Sequence, residues 1–225
     1  MARYDHQLSM GYSPNHSAVP SVLNTPVIFS PPTTISGGYK EVWMAASCND
    51  VIYGGCIVHA SLDGATYKKV GSISGQSLHG LLTSSLSASQ SNTPSVYSTQ
   101  YFYVDTLVKS ALIEGITQEE FNTYQKLCLV GNEIVEFKTA LLQQVYSSGL
   151  SNYKLSYLYR SLYGTVGGGS IGSRFVMLDK PLFKYRYNAE LGGNYVYLKF
   201  QGFNLWRGGL QNIASLPSYA FLIPS

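Results

Sequence analysis

Charge is what this sequence has least of. Asp, Glu, Lys and Arg together make up 12% of its 225 residues, about half the usual share. The 15 basic and 12 acidic side chains leave a formal charge of +3, too little to draw the chain to nucleic acid or to an anionic membrane. Cysteine is scarce as well. Cys48, Cys56 and Cys128 are odd in number and irregularly spaced, which argues against a disulfide framework and for a reducing compartment. Cys48 and Cys56 bracket an expected turn, so a cross-strand bridge is one reading; buried free thiols are the preferred one. No run approaches the roughly 18 consecutive apolar residues of a membrane helix. The start, MARYDHQLSMGYS, lacks the apolar stretch of a signal peptide, so neither a membrane span nor secretion by that route is expected. Histidine is limited to His6, His16, His59 and His79, none of them at zinc-ligand spacing, and no metal or cofactor is expected.

What fills the space left by charge is Ser, Thr, Asn, Gln and 19 tyrosines. Tyrosine joins a flat apolar body to a polar tip and suits half-exposed strands and contact surfaces. A surface built this way, on a chain that is 45% hydrophobic, points toward permanent assembly with partners. Residues 1–38 hold five of the nine prolines (Pro14, Pro20, Pro26, Pro31 and Pro32). Proline removes a ladder donor and holds the chain extended. The segment therefore reads as an extended arm whose TPVIFSPP stretch could lie along a neighbouring subunit, and a chain lacking residues 1–37 is expected to fold.

Residues 39–225 read as one β-rich domain. YKEVWMAAS puts Val42 and Met44 on one face and Trp43 on the other. GGCIVHASLDGATYKKVGSI is two strands around an Asp-Gly turn. LHGLLTSSL, STQYFYVDTLV, YKLSYLYR, SRFVMLD, YVYLKFQGF and YAFLIP supply further strands, and SASQSNTPS an exposed loop. TQEEFNTYQKL predicts one short helix, with Thr117 and Glu120 as a capping box and Phe121 and Tyr124 on its buried stripe. LCLVGNEIVEFKTALLQQVY reads as strand, Gly-Asn turn, strand; a helix over 133–146 competes, and strand is preferred for 133–140. The fold class is mainly β: a sandwich or barrel-like domain with one short helix and an extended N-terminal arm. No regular repeat suggests a propeller or solenoid.

The glycine-rich stretch LYRSLYGTVGGGSIGS invites several chemistries. GGSIGS is a near miss for a nucleophile elbow and lacks the helix that would expose its serine. The run has neither a Gly-Lys-Ser/Thr ending nor a helix behind it to cradle phosphate. Glu133 and Glu136, three apart on a strand, point to opposite faces and cannot flank one glycosidic bond. Glu190 and Asp179 have no evident partner, so no enzyme is expected. Tyr157, Tyr159, Arg160 and Tyr163 could stack on RNA bases, but so small a charge gives little phosphate attraction, and half-buried sheet tyrosines are preferred. FKYRYNAELGGNYVYLKF is the better candidate for a ligand: Tyr185, Tyr187, Tyr195 and Tyr197 are candidate glycan contacts, against the simpler reading of a twisted hairpin.

Four short motifs in order carry a likeness. They are Ser61-Leu62-Asp63-Gly64-Ala65-Thr66-Tyr67; Leu129-Val130-Gly131-Asn132-Glu133 with Phe137 and Ala140; Leu158-Tyr159-Arg160-Ser161-Leu162-Tyr163-Gly164-Thr165; and Gly172-Ser173-Arg174-Phe175-Val176-Met177-Leu178-Asp179. Over about residues 40–180 the chain resembles the C-terminal β-rich region of tail-tip (baseplate hub) proteins of long-tailed bacteriophages and gene transfer agents. It departs from that family in having Ser161 where a glycine follows the arginine, and in lacking a histidine before the last motif. The resemblance implies a structural virion component rather than an enzyme. It further implies assembly in the host cytoplasm into a virion tail beside hub, distal tail and fibre proteins, as a homo-oligomer with a trimer favoured, docked through the arm and sheet edges. A host surface glycan is a candidate ligand. A carbohydrate-binding, receptor-recognising module of a tail fibre is the alternative. Arg160 is expected to bond carbonyls or a carboxylate across a strand corner.

Overall fold

The computed structural model describes residues 15–225 other than 90, 122 and 125. Thirteen strands follow one another: β1 (Val27–Phe29), β2 (Glu41–Ala45), β3 (Tyr53–Ser61), β4 (Lys68–Ser74), β5 (His79–Leu82), β6 (Ser95–Thr106), β7 (Leu127–Val130), β8 (Glu133–Val145), β9 (Ser151–Arg160), β10 (Arg174–Met177), β11 (Phe183–Arg186), β12 (Tyr195–Asn204) and β13 (Tyr219–Leu222). They form a closed barrel in the order β10-β5-β6-β9-β8-β7, a three-stranded sheet β1-β2-β11 and a four-stranded sheet β13-β12-β3-β4. The protein is thus mainly β, with both a barrel and a sandwich. No helix of the described residues is long and apolar enough to cross a membrane.

β2 explains how the layers stack. Its alternation sends Val42 and Met44 into the core shared with Val58, Leu198 and Phe200 of the four-stranded sheet. Trp43 and Ala45 face the other way, joining Val27 and Phe29 against Leu129, Ile134 and Val176 on the outside of the barrel. A sheet covered on both faces reads as a continuous apolar run rather than an alternating one, and all five residues of β2 are buried. The barrel has its own core, in which Phe102, Val104, Val135, Phe137, Leu155 and Phe175 are fully enclosed. The Asp-Gly hairpin is present as β3 and β4. Residues 133–145 are strand throughout, five residues beyond the preferred stretch.

One expectation fails: the helix at 117–127. Its capping pair forms, Thr117 N donating to Glu120 Oε2 at 2.9 Å and Glu120 N to Thr117 Oγ1 at 3.2 Å. Yet the described residues there make only turns, and Leu127 already begins β7. A single turn cannot recover the cost of helix nucleation. The aromatic anchors win instead: Phe121 packs on Tyr157 and Tyr159 at 5.1 and 6.2 Å, and Tyr124, at φ = 62°, stacks on Tyr159 at 6.1 Å. The only helical elements among the described residues are short 3-10 turns.

The N-terminal arm, where it is described, is packed on the domain. Residues 1–14 lie outside the described residues, but 15–38 lie along their own chain. Buried side-chain amides hold them: Asn204 Nδ2 donates to His16 O and Ala18 O, each at 2.8 Å, and Gln211 Nε2 to Ser21 O at 2.7 Å. Asn24 Nδ2 reaches Leu107 O and Ser47 Oγ. Then β1 pairs antiparallel with β2, Ile28 opposite Met44. Proline-rich spacing did prevent a long strand; three residues between Pro26 and Ser30 were enough for a short one on a sheet edge.

His79 of β5 is fully buried. Its Nε2 lies 2.7 Å from Ser47 Oγ, and Nδ1 has no partner among the described residues. Burial pulls its pKa down to about 4, whereas in the unfolded chain it titrates near 6.5. Between those values the unfolded state binds the proton and the folded state does not, so stability falls as pH falls through that window. About 3 kcal/mol should be lost by pH 4 from this group alone. Urea midpoints at pH 7 and pH 4.5 check it: His79→Leu should flatten the difference, because it removes the titrating ring, while Ser47 Oγ keeps its bond from Asn24. An unchanged pH slope in the variant would assign the effect elsewhere.

Candidate functional site

The second, third and fourth motifs meet at one rim of the barrel. Glu133 opens β8 directly after the Gly131-Asn132 turn, and Arg160 closes β9 opposite Ser95 of β6. Arg160 Nε and Nη2 donate to Glu133 Oε1 and Oε2 at 3.0 and 2.5 Å. Nη1 donates to Gln100 Oε1 at 2.8 Å and Nη2 also to Ser87 O at 2.7 Å. Tyr97 lays its ring 5.7 Å from the guanidinium carbon. Glu133 receives two further bonds from backbone, Ser161 N at 3.1 Å and Gly168 N at 2.8 Å. Both side chains are at or below 1% exposure. Both carboxylate oxygens are thus doubly bonded.

The loop after β9 is built around this pair. Ser161 sits at φ = 62°, the left-handed region that glycine occupies most cheaply. In this chain the serine hydroxyl compensates, donating to Ser91 O at 2.7 Å beside Ser89 Oγ. Leu162 then enters the core under β1 and β2, and Gly164 turns the chain at φ = 71°. Thr165 Oγ1 accepts from Ile134 N at 2.8 Å and donates to Leu162 O at 2.7 Å. Gly131 must be glycine on two counts: φ is 61°, and a Cβ would collide with Gly168 O. Its N–H donates to Arg174 O, tying the fourth motif to the second. Phe175 packs on Phe102 inside the barrel at 6.1 Å. Asp179 is exposed by comparison, 3.3 Å from Lys126 Nζ.

Chemically this cluster is a clamp. A general acid or base needs a proton or lone pair within reach of substrate, and Glu133 presents neither. Burial, with Asp179, Glu133 and Glu136 nearby, pushes the Cys128 thiol well above its ordinary value, and burial takes Cys56 up to about 12. Thiolate nucleophiles need the opposite shift. All three cysteines are free and buried.

No protein-family model matches the chain, and no curated protein matches it.

The remaining candidate residues lie on the sandwich. Asp63 Oδ1 accepts from Ser61 Oγ at 2.6 Å, Thr66 N at 2.8 Å and Ala65 N at 2.9 Å. These bonds, that from Ser61 foremost, hold its carboxyl well below the usual range. Gly64 turns under the ring of Tyr197, and Tyr67 OH meets Ser218 Oγ at 2.6 Å beneath Lys199. The first motif is therefore a self-capped hairpin tip.

The four candidate glycan tyrosines do not form one platform. β11 pairs with β2, and β12 with β3 and β13, so the stretch from 183 to 200 is a crossover between facing sheets and not a hairpin. Tyr185 and Tyr187 pack against the inner core containing Val196 and Leu198. Tyr195 and Tyr197 take the alternate, outer face of β12, with rings 6.5 Å apart. Period-2 alternation on two strands of different sheets separates them. Sequence reasoning also missed the parts played by Gln100, Ser87 and Gly168, for which no local pattern gives a signal: the first two reach Arg160 and the third reaches Glu133, from three separate loops or strands.

Proposed function

We propose that this chain is a structural component of a phage-like tail tip, assembled in the host cytoplasm and docked among tail proteins as a homo-oligomer, with a trimer favoured. The observation that carries the reading is the outer half of β8. β7 covers β8 from Glu133 to Glu136 and Ile116 N donates to Lys138 O, so the strand is an edge from Leu141 onward. There Leu141, Leu142 and Val145 are 57, 47 and 58% exposed, on both faces of the strand. Proteins that work alone blunt such edges with charge or proline; here the intervening residues are Gln143 and Gln144. An apolar edge of this kind suits a subunit that is always covered. The motif residues support the same reading, since their side chains are spent on holding the rim together.

Immunogold labelling of tailed particles from producing cells tests it: label is expected at the end of the tail distal to the capsid. Purified particles free of the chain would overturn the proposal. Leu141→Lys with Val145→Lys should lower the oligomer's mass by light scattering with the circular-dichroism spectrum unchanged.

A second reading, a carbohydrate-binding receptor-recognition module, is favoured by a groove of about 450 Å³ beside the first motif. Ser61, Asp63, Thr66, Lys68 and Tyr185 line it, an aromatic face among polar groups of the sort that orients sugars. Binding to host envelope polysaccharide, weakened by Lys68→Ala, is the expected result; silence across a broad glycan panel removes this reading.

A further inference from the structure

The imidazole of His79 uses one nitrogen and leaves the other idle. Nε2 lies 2.7 Å from Ser47 Oγ, while Nδ1 is enclosed without a hydrogen-bond partner among the described residues. A second proton would make both nitrogens donors, leaving a buried cation with one N–H that nothing accepts. The charged groups on the elements packed around the ring are engaged elsewhere. Asp50, in the turn after β2, accepts from Ser21 N and Ile52 N. Asp105 of β6 holds Tyr146 and Asn152, and Lys109 beyond it runs along Gly149. Arg174 of β10 donates to Gly131 O and Ile28 O, and Asp179 pairs with Lys126 and lies 4.0 Å from Lys180. No carboxylate is left to meet an imidazolium, so the closed pocket takes up a proton only by opening.

The weakest cover over that pocket is residues 22–26, which run between two fixed ends. At one end Ser21 N donates to Asp50 Oδ2 at 2.8 Å, and Ser21 O accepts from Gln211 Nε2. The bonds from Ser21 and Ile52 hold the Asp50 carboxyl below its ordinary value, so this anchor stays ionised at pH 5. At the other end Val27 pairs with Ala45. Between them Asn24 provides the grip. Its N–H donates to Ser47 O at 2.9 Å, and its Nδ2 to Ser47 Oγ at 2.8 Å and Leu107 O at 2.7 Å. Ser47 Oγ is therefore shared between Asn24 and His79. On the far side of the segment lies a groove of about 980 Å³, which Asn24, Gly80 and Leu107 all line. Gly80 follows His79 in β5, and Leu107 N donates to His79 O. Asn24 thus stands between the imidazole and the groove. Val22 and Thr25 on either side of it are exposed, and a short exposed stretch with one main point of attachment opens at low cost.

We propose that residues 22–26 form an acid-released strap: proton uptake by His79 is coupled to release of Asn24 from Ser47 and Leu107, while the sandwich and barrel stay folded. Hydrogen exchange in the full chain tests it. Burial holds the ring near a pKa of about 4 in the closed state, against about 6.5 for a ring in contact with water. Between pH 7 and pH 5 the protection factor of Asn24 N–H should accordingly fall about twentyfold. At both pH values it should also be at least about tenfold below that of Leu178 N–H, which is bonded to Leu127 O in the barrel. His79→Leu should remove the pH dependence at Asn24; should that variant not fold, the two amides of the parent chain decide alone. A protection factor at Asn24 that is the same at pH 7 and pH 5 would overturn the proposal, because the opening would then not reach His79. Equal protection of Asn24 and Leu178 at both pH values would overturn it too, since only unfolding of the whole domain would then admit the proton.

Discussion

Arg160→Ala should cost about 3–5 kcal/mol of stability, read as a lower urea midpoint at unchanged slope. The loss arises less from the pair's attraction than from what the deletion leaves behind. Glu133 would remain fully enclosed with only the N–H groups of Ser161 and Gly168 for partners, and a buried carboxylate without its counter-charge is strongly unfavourable. Arg160→Lys should recover little. Lysine carries the charge but has no planar fork to meet Glu133, Gln100 and Ser87 together. Arg160→Met with Glu133→Leu should be more stable than either single variant, since replacing both charges removes the desolvation penalty of each. It should still fall short of the parent, because Ser161 N, Gly168 N and Ser87 O are then orphaned at about 1–3 kcal/mol each. The double-mutant cycle isolates the coupling. In all single variants the start of the 161–173 loop should become more open to proteolysis, since Glu133 anchors Ser161 N and Gly168 N there. A shift under about 1 kcal/mol in Arg160→Ala would mean the pair is not the clamp its geometry describes.

The parts of this architecture that could be read from sequence are those decided by neighbours in the chain. The Asp63-Gly64 hairpin, the Gly131-Asn132 turn and the two faces of β2 follow from local geometry and alternation. So does the expectation that Arg160 bonds carbonyls or a carboxylate across a strand corner, though not that Glu133 would supply the carboxylate. What escaped reading was decided by distant partners. Thr117 and Glu120 cap as a helix start should, yet Tyr159 and Tyr163 draw Tyr124 out of helical geometry. Tyr185 and Tyr197 stand twelve residues apart in sequence, and only the pairing of β11 with β2 shows that they belong to different sheets. Ser161 stood out in the sequence only as a departure from a motif; Ser89 and Ser91, far off in sequence, take up its hydroxyl.

The same dependence on distant partners decides what truncation does. A chain beginning at Tyr39 is expected to lose its cooperative unfolding transition altogether, against the expectation from sequence that a chain lacking residues 1–37 folds. Removing β1 takes Val27 and Phe29 off the Trp43 face of β2. A phenylalanine lost from such a site costs about 3–5 kcal/mol. It also strips β2 of one neighbour, exposing a hydrophobic edge prone to aggregation. Asn204 and Gln211, buried side chains whose amide groups bind His16 O, Ala18 O, Pro20 O and Ser21 O, would be left unsatisfied at about 1–3 kcal/mol each. Together these losses reach the whole margin of a typical domain, 5–15 kcal/mol. A chain beginning at Asn15 keeps every one of these contacts and should retain a sharp thermal transition. Supplying residues 15–38 as a separate peptide to the chain beginning at Tyr39 should restore the transition in proportion to peptide concentration, because a ligand that binds only the folded state stabilises it by mass action. A cooperative melt of the chain beginning at Tyr39, within a few degrees of the full-length protein, would show that this segment is an ornament on a domain complete without it.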